Sequence, residues 1–181
     1  MILHKHNPNW VNEFKRLESL YLSTLGDLTL RIEHIGSTAI KAISAKPILD
    51  IDIVIAKESD FITVKKKLED LGYIHNGDQG IPGREAFIRR NNDVPYKQQS
   101  NPWANHHLYV CENDSRELKR HILFRDYLNT HPSERSEYES IKKHIEKEAK
   151  GDRKTYARIK ESNGPCTTFI ERILKKAEES L

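Results

Sequence analysis

Two aspartates one residue apart stand in the run Ala45-Lys46-Pro47-Ile48-Leu49-Asp50-Ile51-Asp52-Ile53-Val54-Ile55. The apolar, β-branched character of the run predicts a strand, in which alternate side chains share a face. Asp50 and Asp52 then point one way, while Leu49, Ile51 and Ile53 point the other. Aspartate is disfavoured in strands, and an unpartnered charge in such surroundings is costly. A divalent cation between the two carboxylates satisfies both. Without one they repel, so at least one is expected to hold its proton more tightly. The competing reading puts both on the solvated face of an edge strand, but the hydrophobic neighbours on either flank favour a covered strand.

Upstream, Ile35-Gly36-Ser37-Thr38 reads as a strand end followed by a phosphate-sized turn. Glycine lets backbone N–H groups come close to an anion, the Ser37 hydroxyl adds a donor, and a helix beginning there would add its positive end. Phosphates on one side and a carboxylate pair on the other describe a nucleotide site with Mg2+ or Mn2+. The spacing of Gly36 and Lys41 matches the start of a P-loop, but the second glycine and the Lys-Ser/Thr pair are missing, so a kinase of that class is unsupported.

Elements on both sides must position these residues. Asn7-Pro8 starts a helix carrying Trp10, Phe14, Leu17 and Tyr21 on one face, and Gly26 ends it. Residues 28–35 form the first strand. After the aspartate strand, Phe61, Val64, Leu68 and Leu71 mark a helix closed by Gly72, and Tyr73-Ile74-His75 starts another strand. Residues 76–83 form a surface loop with Arg84 at its end, and 86–90 a strand. The stretch 91–105, with Trp103, is a flexible connection or a lid on the substrate side. His106 to Cys111 is a strand. Asp114-Ser115 caps a helix ending before His131-Pro132, residues 133–148 continue as a charged helix, Tyr156 and Ile159 extend the helical region, and 165–181 is the last helix.

Several strings together resemble the GrpB family within the DNA polymerase beta-type nucleotidyltransferase superfamily. They are His34-Ile35-Gly36-Ser37-Thr38, Ala45-Lys46-Pro47-Ile48-Leu49-Asp50-Ile51-Asp52, Leu71-Gly72-Tyr73, His107-Leu108, Phe124-Arg125-Asp126-Tyr127-Leu128 and His131-Pro132. The resemblance runs from about Trp10 to the last helix. It departs where the family often has Val-Pro-Gly and this chain has Ile40-Lys41-Ala42, and where Tyr109 replaces a second histidine. The resemblance implies an α+β fold: a nucleotidyltransferase-like small mixed sheet with packed helices and a helical C-terminal half. It also implies Asp50 and Asp52 as catalytic metal ligands, His107 beside them as a nitrogen ligand or base, and Gly36 and Ser37 on the terminal phosphates. Lys46, Arg84, Lys142 and Lys160 are the implied contacts to phosphate or substrate. Relatives of this fold carry a third carboxylate on the neighbouring strand, and none is evident here. Arg125 and Asp126 read as a buried structural ion pair with neighbouring helices. The implied activity is transfer of a nucleoside monophosphate from a nucleoside triphosphate to an unspecified acceptor. The alternative is a non-catalytic nucleotide-binding or accessory module, since GrpB-like domains also occur joined to dephospho-coenzyme A kinase.

Composition agrees. The 181 residues suffice for one domain over 1–181, and a net charge of +3 with interleaved signs demands no polyanion, which ranks nucleic-acid binding last. Two cysteines, Cys111 and Cys166, form neither a disulfide framework nor a zinc motif and suit a reducing compartment. With no apolar run long enough to span a bilayer and no signal-peptide core, a cytoplasmic protein away from membranes is expected.

Overall fold

The computed structural model describes residues 1–97 and 101–180. Five strands, β1 (Arg31–Ile35), β2 (Leu49–Ile55), β3 (Tyr73–His75), β4 (Arg84–Arg89) and β5 (His106–Glu112), form one sheet in the order β1-β2-β5-β4-β3. β2 and β5 run parallel at its centre and the other pairs are antiparallel. Helices α1 (Asn9–Leu25) and α2 (Phe61–Asp70) accompany the strands; α3 (Arg116–Thr130), α4 (Pro132–Glu148), α5 (Arg153–Glu161) and α6 (Pro165–Glu178) make the helical C-terminal half. This is the expected α+β architecture.

The two faces of β2 divide the molecule. On one, Leu49, Ile51 and Ile53 join Leu108 and Val110 of β5 in a core closed by Trp10, Phe14, Leu17 and Tyr21 of α1 and by Val64 and Leu68 of α2. Each such side chain, fully buried, contributes about 1.5–3 kcal/mol, so this face fixes the register of β2 and sends Asp50 and Asp52 to the other side. A second core joins the N-terminus to the helical half through Ile2, Ile40, Ile43, Leu128, Tyr138, Ile145, Tyr156 and Phe169. The Tyr21 hydroxyl lies 2.7 Å from that of Tyr73, which lies 2.6 Å from Nε2 of His106. Burial holds the His106 pKa down to about 4, so the ring is neutral and the chain ties the start of β5 to α1 and β3.

The first strand begins later than the sequence predicts. Residues 26–28 form a 3-10 turn, and the Val54 carbonyl accepts both the Leu30 N–H at 2.8 Å and the Thr29 hydroxyl at 3.0 Å, which delays the ladder to Arg31. Arg84 is the first residue of β4 and not the end of a loop. Within the 91–105 connection, residues 98–100 lie outside the described residues, as does residue 181 of the expected last helix.

Candidate functional site

The β1–β2–β5 register places Asp52 between Glu33 and Tyr109, and Asp50 between Ile35 and His107. Asp50 and Asp52 therefore share the face opposite the α1 core, partly roofed by α3. Asp50 is half-buried, and its Oδ1 lies 2.9 Å from Nδ1 of His107. Its other oxygen abuts Gly36: a Cβ built on that glycine would lie 2.2 Å from Asp50 Oδ2. Gly36 has φ 69° and ψ −170°, a region open to glycine alone, so both the conformation and the space exclude a side chain.

Asp52 departs from the expected solvent-open pair, being 0% exposed. Its Oδ2 lies 2.7 Å from Nδ1 of His121 on α3, and Nε2 of His121 lies 3.2 Å from Glu117 Oε1 one turn earlier. Burial opposes charge on His121, but hydrogen bonds to Asp52 and Glu117 outweigh it and lift the pKa to about 9. The Asp52 pKa is raised, as expected for one of the pair. The leading cause is burial, opposed by His121, and the charge of Asp50 ranks below both. The proton between Asp52 and His121 belongs on the ring, because both ring nitrogens face carboxylates. Asp52 Oδ1 is buried with no hydrogen-bond partner among the described residues, and so is Arg84 Nε. The Arg84 guanidinium lies 4.5 Å over the Tyr109 ring, and its charge reaches Asp52.

The basic side is built by the loop before β2 and by α4 and α5. Lys46 Nζ lies 4.6 Å over the Tyr156 ring, with its pKa lowered by burial and then by Lys160. Both lysines also feel the charge of Asp50. Gly36 is followed only by the 3-10 turn Ser37–Ala39, so no helix N-terminus adds to the turn, and the Ser37 hydroxyl lies 3.3 Å from that of Tyr138.

The structure thus brings Asp50, Asp52, His107, Arg84 and Gly36 to one face, with Ser37, Lys46 and Lys160 beside it. Lys142 is placed otherwise. It is buried, donates to the Ser44 carbonyl at 2.5 Å and lies 4.7 Å over the Tyr138 ring, so its ammonium braces the helical half and faces no open site. Burial lowers its pKa to about 7. Arg125 reaches past its neighbour Asp126 (2.7 Å) to Glu33 (2.6 Å) and thereby ties α3 to β1. Glu33 is the carboxylate beside Asp52, but Arg31 (2.9 Å) and Arg125 neutralise it. Sequence reasoning missed Glu33, Glu117 and His121. The spacing of Glu117 and His121 on one helix face was a readable signal for their pairing, though not for their contact with Asp52.

Among the described residues no three His, Cys, Asp or Glu side chains form a group able to hold a metal, and no helix is long and apolar enough to cross a membrane. The two carboxylates still suit a cation that draws its other ligands from phosphate and water. Asp52 Oδ1 is an unused acceptor, and Asp50 Oδ2, packed against Gly36, makes no hydrogen bond among the described residues.

Comparison with known proteins gives the family and the fold. The crystal structure of conserved protein GrpB from Enterococcus faecalis superposes with a TM-score of 0.78 at 26% identity, covering 99% of this chain and 98% of that one. Cid1 in complex with the UTP analog UMPNPP matches with a TM-score of 0.52 at 12% identity over 79% of this chain and 42% of Cid1, which shows a shared nucleotidyltransferase-like fold. Glutamate-rich protein GrpB of Alkalihalophilus pseudofirmus is 33% identical over 97% of this chain and 95% of its own length. The family model for GrpB protein matches residues 1–176, and the chain belongs to the GrpB family.

Proposed function

We propose that the Asp50/Asp52 face binds a nucleoside triphosphate with Mg2+ or Mn2+ and transfers its nucleoside monophosphate to an acceptor. The observation that carries this reading is the carboxylate pair itself: two aspartates on one strand face, each with an oxygen left over, Asp50 packed against a glycine whose missing side chain makes room for its carboxylate. The fold shared with Cid1, whose structure holds a UTP analogue, supports it.

In this reading Asp50 and Asp52 hold the cation, which when bound would draw charge from the reacting phosphate. Lys46 and Lys160 lie where they would offset the charge of the departing pyrophosphate, and Arg84, whose Nε has no partner among the described residues, stacks on Tyr109 beside Asp52. His107 orients Asp50 through Nδ1. Its side chain is 55% exposed, and Nε2 has no partner among the described residues, which leaves it able to contact an incoming acceptor.

A second reading, a binding module without transfer, draws on one observation. The neighbours of Asp52 on the flanking strands are Tyr109 and a neutralised Glu33, so no free third carboxylate stands beside it. Incubation with each labelled nucleoside triphosphate, Mg2+ or Mn2+ and a cell extract separates the two. Label transferred to another molecule, and lost with Asp50→Asn, supports the enzyme. Triphosphate bound without any transfer supports the module.

A further inference from the structure

We infer that the cleft between the first turn of α1 and the segment leading into β5 binds a neutral nucleobase or nucleoside whose ring carries carbonyl acceptors. The cleft holds about 400 Å³, and both tryptophans of the chain line it, Trp10 from α1 and Trp103 from the segment. That volume falls within the range of small-molecule sites, which combine aromatic walls with a few placed polar groups. Pro47 and Leu49 line it as well. Leu49 belongs to the core face of β2, whereas Asp50, the next residue, faces the other way towards His107, so the strand separates this cleft from the carboxylate face. A ligand here needs neither the metal nor the triphosphate.

The walls are tied together without a ligand. Arg16 of α1 donates to the Asn101 carbonyl at 3.0 Å, and its guanidinium lies 5.0 Å over the Trp103 ring. The Trp103 indole N–H donates to the Pro95 carbonyl at 2.8 Å, and the Asn105 carbonyl accepts the Leu49 N–H at 2.9 Å. Glu13, the one ionisable residue among those lining the cleft, is paired with Arg16 at 2.8 Å, so no net charge selects a phosphate or an amine. Two lining asparagines set the polarity. Asn7 Oδ1 accepts the Asn9 N–H at 3.0 Å, and Asn105 Oδ1 accepts from Arg89 Nη1 at 3.1 Å. With each oxygen engaged, each amide still offers its NH2, and neither NH2 has a partner among the described residues. Spare donors beside two indoles suit a flat ring with acceptors on its edge: the ring stacks on an indole while its carbonyls accept from the amides. Uracil and guanine carry such an edge, and a bare sugar has no aromatic face to stack.

The test titrates uridine and guanosine, which carry no phosphate, into the full chain in chelator. Because Trp10 and Trp103 are the chain's only tryptophans, indole fluorescence reports on the cleft directly, and calorimetry gives the affinity. At least one nucleoside should change the fluorescence saturably, and ribose should not. Asn7→Asp and Asn105→Asp keep the oxygens that the Asn9 N–H and Arg89 use but exchange the NH2 for an acceptor. Each should melt near wild type and bind roughly tenfold more weakly. Trp103→Ala should weaken binding by roughly 5- to 150-fold, the range for one base stacked on an aromatic ring, and Trp103→Phe should weaken it less. No saturable response up to the solubility limit of either nucleoside, or affinity unchanged in both aspartate variants, would overturn the cleft as a base site. Nucleoside binding lost in Asp50→Asn and kept in Asn7→Asp and Asn105→Asp would place the base on the carboxylate face instead, and ribose binding as tightly as the nucleosides would remove the base as the recognised group. Metal-dependent triphosphate binding, titrated separately with Mg2+, stands or falls on its own.

Discussion

Replacing Gly36 by alanine tests the closest contact of the candidate site. The added Cβ would lie 2.2 Å from Asp50 Oδ2, in a backbone conformation of φ 69° and ψ −170°. Holding a residue with a side chain there costs about 1–3 kcal/mol. For a chain of this length that corresponds to a fall in melting temperature of roughly 2–12 °C. The steric part comes on top. The carboxylate must shift by about 1 Å or rotate to reach ordinary contact, which moves it off Nδ1 of His107. Gly26→Ala is the matched control, because Gly26 also has positive φ, 58°, but a Cβ there meets nothing within 4 Å. Thermal denaturation of both variants, with calorimetric titration of Mg2+ and a triphosphate, separates the two parts. Gly36→Ala should lose more stability than Gly26→Ala and should lose metal-dependent binding, while Gly26→Ala keeps it. Equal losses of stability, with binding unchanged in both, would refute the placement of Gly36 against Asp50.

Two further predictions concern pH. His121 has a folded pKa of about 9, above its usual 6.5, so its stabilising contribution is complete below pH 6.5 and lost as pH rises through about 9. The stability advantage of wild type over His121→Gln in urea titrations should shrink across that window. Lys142 behaves with the opposite sign: its folded pKa of about 7 lies below 10.5, so the unfolded chain binds the extra proton between those values and stability rises with pH there. Lys142→Met should therefore compare best with wild type at or below pH 7 and worse toward pH 10, and a difference independent of pH would contradict the buried ammonium.

The aspartate strand was legible because its two kinds of residue alternate with period two, and the burial of Ile51 and Ile53 follows from the same alternation. The α1 stripe through Leu17 and Tyr21 was legible from its helical period. What alternation does not contain is depth. Asp50 and Asp52 share a face, yet α3 covers the second and leaves the first half exposed, because His121 packs 69 positions away in sequence. Arg125 illustrates the same limit, since its partner Glu33 depends on how α3 lies on β1. The resemblance implies Lys142 as a contact to phosphate or substrate, yet the lysine is buried. Its position among Tyr138, Ile145 and Ala149 follows from the packing of α4 against the N-terminal segment, which no local pattern specifies.

The most direct measurement is calorimetric titration of a nucleoside triphosphate into the wild-type protein, Asp50→Asn and Asp52→Asn, each with Mg2+ and each with chelator. Wild type should bind measurably with Mg2+ and weakly in chelator, and both variants should remain folded while losing the dependence on metal. Affinity that is the same in wild type and variants, with and without Mg2+, would contradict a metal site at Asp50 and Asp52 and the nucleotidyl-transfer reading built on it.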